Sequence, residues 1–266
     1  MKKQIKILPV LCLFLLTACD GNLRDRWDTS TAQDSSLSEA IFADIYGQVL
    51  NSATLGGDNF KSSSSCPTVT ISPFDGTFPI TIEVDFGNVN CPGADGRQRR
   101  GKLIADMSGP YTEPGTFISI VPENYYVNDM LVEGLQEVEN LGLNAAGNLH
   151  FAITETNGII HSPDGQIFWN SNRIREWVEG SDTATPWDDV YNITGTAEGT
   201  DANGRDYDLE IIAPLNVKVG CRWVRQGILE IRPDGLDERT IDYGNGDCNG
   251  NATLTIRDRD FNIVVP

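Results

Sequence analysis

The chain has 266 residues, 39% of them hydrophobic, and its 38 acids against 20 Lys and Arg give a net charge of −18. So acidic a chain is unsuited to nucleic acid or bare anionic lipid, both of which need clustered Lys and Arg. After the N-terminal leader no run approaches eighteen consecutive apolar residues, the least that a spanning helix requires.

That leader reads "MKKQIKILPVLCLFLLTAC": Lys2, Lys3 and Lys6, then an apolar run from Ile7 to Leu16, then small residues. This is a secretory signal too short to span a bilayer. Its ending, Leu16-Thr17-Ala18-Cys19, resembles the lipobox of bacterial lipoproteins, so residues 1–18 are expected to be removed and Cys19 to carry lipid. Acyl chains there would hold the protein on a membrane at about 0.8 kcal/mol per buried methylene. Loss of residues 1–18 removes three lysines and no acid, leaving −21 over 248 residues.

Residues 19–35 are polar and mixed in charge and read as a tether, ahead of a single β-rich domain over 36–266. Ser36-Leu37-Ser38-Glu39 has capping-box spacing, and Leu37, Ile41, Ile45 and Val49 recur every four residues. One short amphipathic helix over about 37–52 is predicted. "GGDNFKSSSSC" ends it.

Strand text follows. In "PITIEVDF" the residues Ile80, Ile82, Val84 and Phe86 alternate with polar ones, and "LHFAIT", "QIFWN", "YDLEI" and "ATLTI" behave alike. Between such runs stand Asp75-Gly76, Asp95-Gly96, Asn157-Gly158, Asp164-Gly165, Asn203-Gly204 and Asp234-Gly235, dipeptides suited to tight hairpins. The fold class predicted is all-β, an antiparallel meander in an extended twisted sheet or a β-sandwich. Parallel βαβ units are nearly excluded, because the connections lack a crossover helix.

Four cysteines follow the leader and Cys19. Cys66-x-x-Val69 is followed 25 residues on by Cys91, closing "DFGNVNC"; Cys221-x-x-Val224 is followed 27 residues on by Cys248, closing "DYGNGDC". In an oxidising compartment two disulfides are expected. Each copy reads as a hairpin stapled across its open end, which pairs Cys66 with Cys91 and Cys221 with Cys248. In the shared phrase Asp and Gly turn the chain out of the strand, and Phe86 or Tyr243 packs inward. The repetition is read as structural rather than catalytic.

Candidate chemistry is sparse. "GRQRRGKL", Gly96 to Leu103, lacks the Ser or Thr that follows a P-loop lysine, and what comes next reads as strand. Its cluster Arg97, Arg99, Arg100 and Lys102 could grip an anionic glycan, but pairing with the protein's own acids is the expectation. Asp247 to Asp258 lacks the central glycine and terminal Glu of a calcium loop, so no metal or cofactor is expected. His150 and His161 are the only histidines, too few for a three-His zinc site. Among 38 acids some pair will always suit a glycosidase, which empties that signal. The richest stretch is "RIREWVEGSDTATPWDDVYNITG". Here Arg173, Arg175 and Trp177 alternate onto one strand face, and Trp187, Asp188, Asp189 and Tyr191 follow a loop. Aromatic plates beside charged groups suit sugar binding; the competing reading is an arginine ladder paired with acids, with Trp filling the core.

The phrases "CPTVTI", "TIEVDFG", "DGRQRRGKLI", "SGPYTEPG", "NYYVND", "RIREWVEG", "DDVYNITGTAEG", "GCRW" and "TIDYGNGDC" resemble those of a group of uncharacterised Bacteroidetes-type outer-membrane lipoproteins. The resemblance covers about residues 66–256 and implies outer-membrane anchoring and an all-β body. It carries no activity and no site residue. The expected function is a lipid-anchored cell-envelope module, non-catalytic, acting in binding or envelope structure, with the membrane and a glycan or envelope protein as partners. The rival is a carbohydrate-active enzyme using paired carboxylates.

Overall fold

The computed structural model describes residues 27–55, 66–183 and 185–265. The leader and Cys19 lie outside the described residues. Among the described residues one α-helix, α1 (Ser30–Leu55), precedes the strands β1 (Thr68–Ser72), β2 (Ile80–Asp85), β3 (Cys91–Pro92), β4 (Gln98–Met107), β5 (Phe117–Val127), β6 (Met130–Leu143) and β7 (Leu149–Ser162). The chain continues through β8 (Gly165–Glu179), β9 (Val190–Thr200), β10 (Asp206–Lys218), β11 (Gln226–Pro233), β12 (Arg239–Asn245), β13 (Asn251–Ile256) and β14 (Arg259–Val264). A 3₁₀ turn at Pro186–Asp188 lies between β8 and β9.

The strands form one antiparallel sheet in chain order, with β3 beside the start of β4, and the sheet does not close. It is therefore the extended meander, not the sandwich. Alternation decides which face is buried: Ile82 and Val84 in β2, Ile167 and Trp169 in β8, and Leu229 and Ile231 in β11 all point to one side. Their polar neighbours face outward.

The inner face curls around α1, which touches strands as far apart as β2, β5, β8 and β11. Bulges supply much of the bend. Asn124 and Asn157 have positive φ inside β5 and β7, where the register shifts, and a further shift lies between Glu210 and Leu215 of β10. Asn157-Gly158 is thus not the hairpin turn expected from its sequence. Its positive φ makes a bulge within β7, and a Cβ on Gly158 would stand 2.7 Å from the Phe42 ring of α1. Of the other five dipeptides four fall between strands, and Asp164-Gly165 makes the β7–β8 turn with Gly165 as the first residue of β8. Asn128-Asp129, both with positive φ, forms the β5–β6 turn that the sequence reading passed over.

The helix is not short and does not start near 37. It begins at Ser30, whose N–H is accepted by Asp28 at 2.9 Å, so that residues 30–35 belong to the fold and not to the tether. Its start is held by long-range contacts. Ser30 donates to Asp201, Ala202 N–H donates to Asp34, and buried Arg239 donates to the Asp28 carbonyl. Ser36 is consequently a buried mid-helix residue and no cap, and Glu39 turns instead toward Arg173. Ile41, Ile45 and Val49 are buried as predicted, joined by Phe42 and Tyr46.

Both staples form as expected, Cys66–Cys91 with Cα atoms 6.1 Å apart and Cys221–Cys248 with 5.8 Å. They close the hairpins β1–β2 and β11–β12. The echoing phrases make the same turn: Gly87 N–H donates to Asp85 and Gly244 N–H to Asp242, each at 2.8 Å, with φ of 81° and 89° at the glycines. Phe86 and Tyr243 both pack inward.

Candidate functional site

Along α1, Ser36, Ala40, Ala43, Gly47 and Asn51 repeat at helical spacing on one face. Small side chains there cannot fill the space between helix and sheet. A cavity of 960 Å³ remains, walled by that face, by β8 to β10 and by the two stapled hairpin ends. It is near the upper end of the range of about 300–1,000 Å³ typical of small-molecule sites. Phe42, Phe86, Ile153, Trp169, Ile193 and Leu215 give it apolar walls.

The stapled ends meet at its mouth. Arg222 in the β10–β11 loop donates to the Asp95 carbonyl in the β3–β4 turn at 3.0 Å. Trp223 covers Gly250, where a Cβ would lie 2.7 Å from the indole nitrogen. Trp187, 60% exposed, stands over Gly220.

Charge inside the chamber opposes the charge of the chain. Among the described residues it is lined by Arg97, Arg99, Arg173, Arg175, Lys218 and Arg222, against the carboxylates of Glu39, Asp44, Asp95 and Glu155. Three groups can be distinguished. Arg99 grips Asp44 of the helix through Nε at 2.9 Å and Nη2 at 2.6 Å, and also bonds Asp95, while Arg97 joins the same two acids. Arg100 pairs with Asp129, and Lys102 with Glu83 and Asp85, so the basic cluster is paired internally, as expected.

Further along, Arg173, 4% exposed, binds Glu39 through Nη2 at 2.7 Å, while its Nε and Nη1 are buried without a hydrogen-bond partner. Glu155, 5% exposed, accepts from Gln136 at 2.8 Å. Burial and the charge of Glu39 push its carboxyl up to about 7, outweighing the opposing pull of Gln136 and Arg173.

Arg175 is the third. Its guanidinium carbon lies 4.6 Å from the Tyr46 ring centre and 3.6 Å from that of Tyr191, a double cation–π arrangement. It forms no ion pair among the described residues, and its Nε has no partner. Guanidinium does not deprotonate, so the charge stays.

The structure thus divides the aromatic and charged stretch. Arg173, Arg175, Trp187 and Tyr191 line the chamber. Trp177 packs outside its lining, its ring 5.5 Å from that of Tyr191 and 6.3 Å from that of Tyr111. Asp188 accepts from the Thr183 hydroxyl, and buried Asp189 from that of Tyr191 at 3.3 Å. Of the ladder only Arg173 pairs with an acid, and that acid, Glu39, is on the helix rather than across strands. Sequence reasoning missed Glu39, Asp44, Gln136 and Glu155. The signals available were a charged residue on an otherwise buried helix face, for Glu39 and Asp44, and a polar residue at an inward position of a strand's alternation, as Glu155 stands after Phe151 and Ile153.

The histidines are engaged separately, His150 with the Gly142 carbonyl and His161 with Glu133. Among the described residues no three His, Cys, Asp or Glu side chains converge as a metal site would require. Comparison of the chain with protein-family models, with curated proteins and with solved structures finds no match.

Proposed function

We propose that this chain is a lipid-anchored protein of the cell envelope, of the outer-membrane lipoprotein kind its phrasing resembles, that binds a small ligand between helix and sheet without catalysis. The observation that carries the reading is the chamber itself: 960 Å³, apolar-walled, and holding buried guanidinium groups with unpartnered N–H donors. Buried donors normally find acceptors, and a bound ligand supplies them. Two disulfides agree with an exported chain. Anchoring is tested by Cys19→Ser, which is expected to abolish acylation and membrane fractionation; unchanged partition into detergent refutes it.

One observation favours the catalytic rival. Glu155, held near pH 7 beside Glu39, has the property of a general acid. Screening the mature protein against polysaccharides separates the readings. Release of reducing ends, abolished by Glu155→Gln, would replace binding with hydrolysis.

A further inference from the structure

We propose that the ligand of this chamber is an amphiphilic monocarboxylate, its head seated on Arg175 and its apolar body lying along the small-residue face of α1. The inference rests on the binding reading above and adds the ligand's chemistry.

Charge comes first. A chain of net −18 lines this chamber, among the described residues, with six cationic side chains and four carboxylates. The Arg97, Arg99, Asp44 and Asp95 cluster is internally balanced, and Arg173 is held by Glu39. Arg175, Lys218 and Arg222 make no ion pair among the described residues; Arg222 bonds the Asp95 carbonyl at the mouth, and of the three only Arg175 is framed by two tyrosine rings that orient its plane. Asp189 acts on it only as a neighbouring charge and makes no ion pair with it. A planar carboxylate matches a guanidinium through two parallel hydrogen bonds. Arg173 follows two residues away on the same strand face, about 7 Å along the strand, with further unpartnered N–H groups.

Shape supplies the rest. Beyond Arg175 the walls are Ile193, Leu215, Val217 and the helix face Ala40, Ala43 and Gly47. A Cβ built on Gly47 meets nothing within 4 Å, so the space beside the helix is open there. Of the neutral hydrogen-bonding side chains in the lining, Tyr46, Gln48, Gln136 and Tyr191 already bond Tyr111, Asp44, Glu155 and Asp189, which leaves them engaged and not free for the many hydroxyls of a sugar. The walls suit a hydrocarbon or ring body.

The test uses residues 19–266 carrying Cys19→Ser, so that no attached lipid competes, titrated calorimetrically with dodecanoate, with dodecanol and with glucuronate. Dodecanoate is expected to bind at least tenfold more tightly than dodecanol. Arg175→Gln is expected to erase that ratio, and Arg175→Lys to keep most of it. Gly47→Leu, which fills the space beside the helix without removing a contact, should weaken both alkyl ligands at least tenfold. Circular dichroism and intact disulfides identify variants that have kept the fold. Equal binding of dodecanoate and dodecanol, or a ratio that survives Arg175→Gln, overturns the carboxylate seat while leaving the chamber a binding site. Glucuronate binding in place of dodecanoate overturns the amphiphile. Absence of binding by all three, with Gly47→Leu silent, overturns both this inference and the binding reading.

Discussion

Removing the Cys221–Cys248 staple, by Cys221→Ala with Cys248→Ala, perturbs a hairpin in the interior of the sheet, with β10 on one side and β13 on the other. The closed loop spans 27 residues, and the chain-entropy relation gives a loss of about 3.5 kcal/mol. The Cys66–Cys91 loop of 25 residues gives nearly the same figure, but β1 is an edge strand with only partly buried side chains. Its removal should therefore appear first as faster amide exchange in β1, and only partly as global loss. Both staples together amount to about 7 kcal/mol, comparable with the ~5–15 kcal/mol that stabilises most domains, so the fully reduced chain should be close to unfolding at 25 °C. Urea unfolding of the parent, the two double variants and the reduced protein measures these differences. A loss below about 1 kcal/mol for the interior staple would refute the reasoning, because the unfolded chain would then gain little freedom from its removal.

Two glycines of nearly equal φ should respond differently to alanine. Gly87→Ala, with φ 81° and open space around it, should cost about 1–2 kcal/mol of left-handed strain, whereas at Gly101 a Cβ would lie 1.9 Å from the Asn124 carbonyl oxygen, so Gly101→Ala should cost more than about 3 kcal/mol in urea melts. Similar costs for the two would mean that the β4–β5 bulge yields easily. Glu155 predicts a pH dependence: its folded value near 7 lies above the ordinary 4.5, so the native state holds a proton that the unfolded chain has lost, and stability falls as pH rises from about 4.5 to 7. Glu155→Gln should remove that slope, leaving stability unchanged near pH 4.5 and raising it by about 3 kcal/mol at pH 8; an unaltered slope in melts across that range assigns the dependence to other groups.

The strands and staples were legible because their signals are local. Alternation in "PITIEVDF" names the buried face of β2 without reference to any other strand, and cysteines 25 and 27 residues apart at the ends of a hairpin already lie within bonding reach. The repeated Asp-aromatic-Gly phrase carries its own turn, since the aspartate accepts the N–H of the glycine two residues on. Tertiary structure decided what these parts enclose. A period of two specifies which side chains face inward but not how far the sheet curls, and the curl depends on bulges such as Asn157-Gly158, whose residues also suit a hairpin turn. The helix start was hidden for the same reason: Ser30 and Asp34 are held by a turn some 170 residues away, not by their neighbours. The chamber is the furthest from local. Arg173 meets Glu39 across 134 residues and Arg222 meets the Asp95 carbonyl across 127, contacts that exist only once the sheet has wrapped around a helix whose small face leaves the space open.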